Sequence, residues 1–142
     1  MQDKRALTAP CGLDCFNCEI YEENLTAEFA ELIHKKFSVA KEEIPCKGCR
    51  VQDGKHFHLP TGCATLNCVK DKGVALCCDC REFPCALLAP MADGAAMYPH
   101  NMKVYNLGRI KTIGIEQWLE EAEQIRKKYF TGKFVVGKGQ AD

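Results

Sequence analysis

Apolar side chains recur every three or four residues in two long stretches of this chain, which is the pattern of amphipathic helices. One stretch is 25–37, where Thr26 or Asn24 is a candidate N-cap because its side-chain oxygen can accept a backbone hydrogen bond. The other is 115–130, which carries Glu and Lys along the opposite face. We expect its apolar stripe to pack in the core rather than to bind a partner. The stripe consists of Ile115, Trp118, Leu119, Ala122, Ile125 and Tyr129.

Shorter helices are predicted from the residues that begin or end them. Gly73 is a candidate C-cap for a helix over 66–72, and Gly114 closes a helix that Asn101 caps at its start. A further helix should follow Pro84, because proline is favoured at the first helical position. These signals predict a mainly α fold.

The two halves of the chain differ in composition. Residues 1–90 hold every cysteine and many turn formers, whereas 91–142 hold no cysteine and are predicted helical apart from a short strand at 134–136. The second half is too short to bury a core alone. We therefore expect a single domain spanning 1–142, in which the C-terminal helices pack against a zinc-knuckle half of irregular, metal-stapled loops, with 89–94 as the connector.

Composition and charge narrow the class of protein. The chain has 142 residues, 46% of them hydrophobic and 27% charged, which is typical of a globular domain. Lys plus Arg and Asp plus Glu both number 19, so the formal net charge is 0 and gives no general attraction to nucleic acid or anionic membranes. The basic run 126–128 is expected to be a solvated face. Neither a signal peptide nor a membrane-spanning run is visible, so we expect a cytoplasmic protein without membrane contact; a protein partner remains open.

Cysteine is the outlying residue type. All eleven cysteines lie within the first 85 residues, and a reducing cytoplasm would keep them as thiols. Their odd number and the missing signal peptide weigh against a secreted disulfide scaffold. Thiolate sulfur is the soft ligand used by zinc and by iron–sulfur clusters, so we expect metal binding. The candidate ligands are Cys11, Cys15, Cys18, Cys46, Cys49, Cys63, Cys68, Cys77, Cys80 and Cys85.

Three C-x2-C pairs are the strongest part of this signal, because a two-residue gap lets one turn aim two sulfurs at one metal. The second pair contains Gly48, which can take the positive φ that such a turn often needs. Cys63 and Cys68 lie ~140° apart on a continuous helix, so they converge only if Cys63 precedes the helix. The three knuckles are Cys15–Cys18, Cys46–Cys49 and Cys77–Cys80.

Two four-cysteine zinc sites would use eight of these ligands. We prefer 15, 18, 46 and 49 in one site and 63, 68, 77 and 80 in the other, although spacing alone does not fix which knuckles are neighbours. Cys11 and Cys85 then replace a member of either set, meet each other, or form a redox pair. Cys78 is left without a role.

Other chemistry has weaker support. The C-x3-C-x2-C spacing at Cys11 resembles the cluster motif of radical SAM enzymes, but the repeated βα units of those barrels are absent. His56 and His58 could supplement a metal site.

No P-loop, GxGxxG, GxSxG or HExxH motif is present, so we expect a zinc-dependent binding or adaptor module rather than an enzyme. The alternatives are an iron–sulfur protein for electron transfer or sensing, and a thiol redox or metal-transfer enzyme using Cys11, Cys78 or Cys85.

The neighbours of the cysteines form a combination that is specific, although no single motif is. In this combination the chain resembles the domain of unknown function 3795 family, small cysteine-rich proteins of bacteria and archaea. The resemblance implies zinc binding, with no established activity; Cys78 is an addition of this sequence. The resembling segments are 11–21, 46–50, 63–73, 77–85 and, later, 106–119.

Overall fold

The computed structural model describes residues 2–88, 102–137 and 139–141. Within them the fold is mainly α, and most of the cysteines lie in loops and short turns, as the sequence predicts. The four α-helices are α1 (Ala27–Phe37), α2 (Ala64–Lys72), α3 (Met102–Ile113) and α4 (Ile115–Thr131). Short 3-10 turns occur at Cys15–Asn17, Lys41–Glu43, Cys77–Asp79 and Ala86–Leu88, and two strands, β1 (Lys133–Val135) and β2 (Gly139–Ala141), end the described chain.

Helix α1 begins where the sequence predicts, but its apolar stripe is largely solvent-exposed. Thr26 is the N-cap, and its hydroxyl oxygen accepts a hydrogen bond from the Phe29 amide at 3.2 Å. Only Ile33 of the stripe is buried, whereas Leu32 and Phe37 are 55% and 53% exposed. Helical spacing therefore predicted the helix correctly without predicting how deeply it packs.

The three later helices confirm their predicted positions. Helix α2 ends at Gly73, whose φ of 65° is the left-handed C-cap conformation, although the helix begins two residues earlier than predicted. Gly114 separates α3 from α4. The predicted cap Asn101 and the connector 89–94 lie outside the described residues. No helix in the described part of the chain is long and apolar enough to cross a membrane.

One prediction about secondary structure is wrong and another is incomplete. After Pro84, the described residues form only the 3-10 turn Ala86–Leu88 rather than an α-helix. The strand predicted at 134–136 is present at Lys133–Val135, where it is the first strand of an antiparallel hairpin in which Lys133 pairs with Ala141. The partner strand β2 was missed because its Gly-Gln-Ala sequence has no β-branched or aromatic residue to indicate a strand.

The core lies between the C-terminal helices and the first cysteine loop, 8–16. Trp118 on α4 is completely buried and meets the ring of Phe16 edge to face, with 6.1 Å between the ring centroids. Leu107 on α3 packs so closely against Gly12 that a Cβ atom there would lie 2.8 Å from the leucine Cγ. The Asn106 amide donates a 2.8 Å hydrogen bond to the Gly12 carbonyl. The helices thus hold a loop that has little regular structure of its own.

Arg126 does not belong to a solvated basic face, as its neighbours in sequence suggested. It lies one helical turn after the buried Ala122, and its side chain is only 15% exposed. The guanidinium donates to the carboxylate of Asp14 at 3.0 Å and to that of Glu19 at 2.6 Å. Burial raises the pKa of Asp14, and the positive charge of Arg126 opposes that rise. The ion pair therefore compensates a carboxylate that is 2% exposed.

Replacing Arg126 with Met should lower the free energy of unfolding by about 3–5 kcal/mol, because Asp14 would stay buried without its positive partner. The matched control is Arg109→Met, which removes an ion pair to Glu121 whose two side chains are 33% and 37% exposed. That control should cost less than about 1 kcal/mol. Urea denaturation followed by circular dichroism measures both variants, and equal losses would contradict the role assigned to the Asp14 pair.

Candidate metal centre

The cysteines line two separate cavities. The larger has a volume of about 420 Å³ and the smaller about 270 Å³. Among the described residues, no cysteine lines both cavities, and Cys78 lines neither because it is buried in the core. All eleven cysteines lie in the described segments and are free thiols. The larger cavity is lined by Cys11, Cys15, Cys18, Cys46, Cys49 and Cys63, and the smaller by Cys68, Cys77, Cys80 and Cys85.

Backbone hydrogen bonds bring the first two knuckles to the same wall of the larger cavity. The Cys46 amide donates to the Ile20 carbonyl at 2.8 Å, and the Glu22 amide donates to the Cys46 carbonyl at 2.8 Å. Gly48 has the positive φ that the sequence predicted, at 90°, and its amide points at the Cys46 Sγ over 3.4 Å. Burial raises the pKa of the Cys46 thiol, and this amide hydrogen bond opposes the rise because it favours the thiolate, which is the form that binds metal.

The thiols of Cys15 and Cys49 are in direct contact. The hydrogen bond from Cys15 lowers the pKa of Cys49 to about 7, and the same bond, together with burial, raises the pKa of Cys15 well above its usual range. Burial also raises the pKa of Cys11. One sulfur from each of the first two knuckles therefore lies close to the other in the larger cavity.

Two histidines stand at the same cavity, and their hydrogen bonds define their tautomers. The Ile44 carbonyl can only accept, so His56 donates to it from Nε2 over 2.9 Å. Burial lowers the pKa of both His56 and His58, which keeps the rings neutral near pH 7. The His56 Nδ1 must then accept the proton of the His58 Nδ1, 2.8 Å away. The Nε2 atom of His58 is thus left with a lone pair, the form of imidazole that ligates metals.

Cys63 reaches the larger cavity from the start of α2. It is the residue before the helix, which is the placement that convergence with Cys68 required, yet the two thiols line different cavities. Gly54 approaches it so closely that a Cβ atom on Gly54 would lie 2.8 Å from the Cys63 Cβ. The segment that contains Gly54 therefore packs directly against Cys63.

The smaller cavity is formed by α2, the third knuckle and the segment after Pro84. The Glu82 amide points at the Cys80 Sγ over 3.4 Å, the same i+2 arrangement seen at Cys46 and Gly48. Burial, with the nearby thiols of Cys11, Cys85 and Cys68, raises the pKa of Cys77 to about 12. These thiols are thus close enough to influence one another.

The arrangement differs from the expected second quartet of 63, 68, 77 and 80. Cys63 and Cys68 face different cavities, and Cys85 lies where Cys63 was expected. Cys11 lies with the first two knuckles. Sequence spacing missed this division because α2 stands between the cavities and presents one cysteine to each. The ~140° separation of the two residues on a helix was the available signal.

The donor set suits a soft metal, but the sulfurs do not converge. Thiolate and imidazole are the ligands that zinc and iron–sulfur clusters use. In a tetrahedral zinc site with bonds of about 2.3 Å, the sulfurs lie about 3.8 Å apart. Among the described residues, no group of three or more His, Cys, Asp or Glu side chains is placed to hold a metal ion. A single ion would therefore require the thiols to move inward.

The family described as a protein of unknown function (DUF3795) matches residues 7–90. The chain belongs to this family. The matched stretch contains every cysteine of both cavities, whereas the resembling segment 106–119 lies beyond it. No curated protein and no solved structure matches the chain. The family description names no activity, so function rests on the site itself.

Replacing Gly54 with Ala should destabilise the protein by about 1–3 kcal/mol more than replacing Gly73 with Ala. Both glycines have a positive φ, 69° and 65°, so both variants carry the same backbone strain. Only the added methyl at Gly54 collides with Cys63, because nothing lies within 4 Å of the corresponding position at Gly73. Thermal unfolding of the two variants measures the difference, and equal melting temperatures would show that the contact between Gly54 and Cys63 is unimportant.

Proposed function

We propose that this is a metal-binding protein whose larger cavity holds a structural zinc centre through cysteine thiolates. The observation that carries the proposal is that six of the eleven cysteines line one cavity of about 420 Å³. Thiols at such density in one cavity would repel one another as thiolates unless a cation neutralised them. Zinc is the ion that closed tetrahedral thiolate sites most often hold.

The ligands come from chain segments with little other support, which favours a structural role. Cys15, Cys18, Cys46 and Cys49 lie in turns, and the stretch 46–63 has no helix or paired strand beyond isolated bridges. Metal binding would fasten these segments together, because binding to a site that exists only in the folded chain contributes directly to folding free energy. A zinc centre of this kind suits a binding or adaptor module rather than a catalyst.

Four sulfurs are the preferred set for the ion. Cys15 and Cys49 already touch, Cys46 has its amide donor, and Cys18 ends the first knuckle. Cys11, Cys63 and His58 line the same cavity, and the His58 Nε2 atom has a free lone pair. We treat these three residues as substitute ligands rather than as members of the first quartet. Binding would require the sulfurs to close in around the ion.

An iron–sulfur cluster is the second candidate, and one observation favours it. The thiols surround the larger cavity instead of meeting at a point, and a cluster of several iron and sulfide ions spans more space than one zinc ion. Such a centre would support electron transfer or sensing rather than a purely structural role. The two candidates differ in colour and composition, since zinc is colourless and iron–sulfur proteins absorb visible light.

Protein purified without oxygen should contain zinc in excess of iron and should lack visible absorption. Elemental analysis, acid-labile sulfide and the visible spectrum decide between the candidates. Iron together with sulfide and a brown colour would rule out the zinc centre in favour of the iron–sulfur cluster. Absence of any bound metal in soluble, folded protein would overturn the proposal itself.

Replacing Cys49 with Ala should remove about one zinc ion per chain and lower the melting temperature, because it takes one of the touching sulfurs from the quartet. The matched control is Cys78→Ala, a change at a buried cysteine that lines neither cavity. It should keep the metal content of the parent. Metal loss in the Cys78 variant but not in the Cys49 variant would mean that the ligand set has to be redrawn around the third knuckle.

A further inference from the structure

We propose that the smaller cavity is a second, independent metal site, in which Cys68, Cys77, Cys80 and Cys85 bind one zinc ion. This site goes beyond the centre proposed for the larger cavity and does not depend on it. Sequence spacing had suggested the quartet 63, 68, 77 and 80. In the set proposed here, Cys85 takes the place of Cys63.

The number and origin of the thiols suit a closed site, although the sulfurs would have to move inward to meet at one ion. Four cysteines line the cavity, the number that completes a tetrahedron around zinc. Cys68 comes from α2, Cys77 and Cys80 from the third knuckle, and Cys85 from the segment after Pro84. An ion there would tie together three segments of the chain.

The other polar groups on the wall already have partners. The Thr65 hydroxyl donates to the Leu87 carbonyl at 2.9 Å, and the Lys72 ammonium pairs with the Glu82 carboxylate at 2.7 Å. The remaining lining is mainly apolar, with Val69 and Leu88 among its members. Of the described side chains at this cavity, the thiols are therefore the donors left to bind a ligand, and their softness selects a metal such as zinc.

The surroundings also suit a negatively charged zinc–thiolate group. The Glu82 amide is aimed at the Cys80 sulfur, as the Gly48 amide is at the Cys46 sulfur. Such amide donors orient the sulfur of a metal ligand. The Lys72 ammonium, which is paired with the Glu82 carboxylate, lies close enough to Cys80 and Cys68 to interact with both.

Two features separate this site from the larger cavity. Cys63 precedes α2 and Cys68 lies within it, and no cysteine of the described chain lines both cavities. Pro10 lines the larger cavity and Cys77 the smaller, and the Cys77 amide donates a 2.9 Å hydrogen bond to the Pro10 carbonyl where the two walls meet. The two sets of lining cysteines therefore do not overlap, although the Cys11 and Cys77 thiols are close enough to interact.

The solvent exposure of Cys85 provides a test on the unaltered protein. We expect iodoacetamide to modify Cys85 slowly in zinc-loaded protein and quickly after a chelator has removed the metal, as followed by peptide mass spectrometry. An exposed thiol that bound no metal would be modified at the same rate in both samples. Equal rates would therefore overturn the second site.

Variants extend the test to stoichiometry. Cys85→Ala should lose about one zinc ion per chain, whereas Cys63→Ala should leave the protection of Cys85 unchanged. Cys78→Ala is the control for loss of an uninvolved thiol. Full zinc content in folded Cys85→Ala, or loss of Cys85 protection in folded Cys63→Ala, would contradict the proposed set.

The same measurements separate the two proposals. If the larger cavity binds no metal, Cys49→Ala leaves the zinc content unchanged while Cys85 stays protected. If only the smaller cavity is wrong, Cys49→Ala still loses metal and Cys85 reacts freely with iodoacetamide. Should Cys85→Ala fail to fold, the reactivity of Cys85 in the parent protein still decides the second proposal.

Discussion

The ion pair between Asp14 and Arg126 is the contact on which the placement of the first knuckle depends. Asp14 lies between Cys11 and Cys15, so its position determines where both thiols stand. Because its carboxylate is buried, it depends on the guanidinium of α4 beside it, together with a 3.1 Å hydrogen bond from the Asn17 side-chain amide. The hydrogen bond from Asn106 and the ring of Trp118 hold the same loop from two further directions. The C-terminal helices thereby support a site whose cysteines all lie in other segments of the chain.

This division of labour explains how a chain with so little β-structure and so many turns keeps its thiols in place. Buried cysteine is also a small apolar side chain, and Cys11, Cys77 and Cys78 belong to the same buried cluster as Leu107 and Trp118. The cysteines therefore contribute to the core and to the cavity walls at once. Cys78 contributes to the core but lines neither cavity, which explains its presence without a role in metal binding.

Local sequence signals predicted the elements well where the chain itself decides them. Glycine ends α2 and follows α3 because it alone takes a positive φ without cost, and the apolar stripe of α4 is long enough to be unambiguous. The burial of Arg126 and the exposure of Leu32 were not predictable in this way, because both depend on which distant segment packs against the helix. The separation of Cys63 from Cys68 has the same origin. It depends on contacts such as that between Pro10 and Cys77, which are 67 positions apart in the sequence.

Helix α2 has a mechanical consequence for the two cavities. Cys63 precedes its first turn and Cys68 lies five residues later, so the two thiols are separated by about 7.5 Å along a stiff rod. Because the rod is stiff, the distance between the two thiols is fixed, and neither can cross to the other cavity unless the helix unwinds. The helix thus acts as a spacer that keeps the two sets of thiols apart.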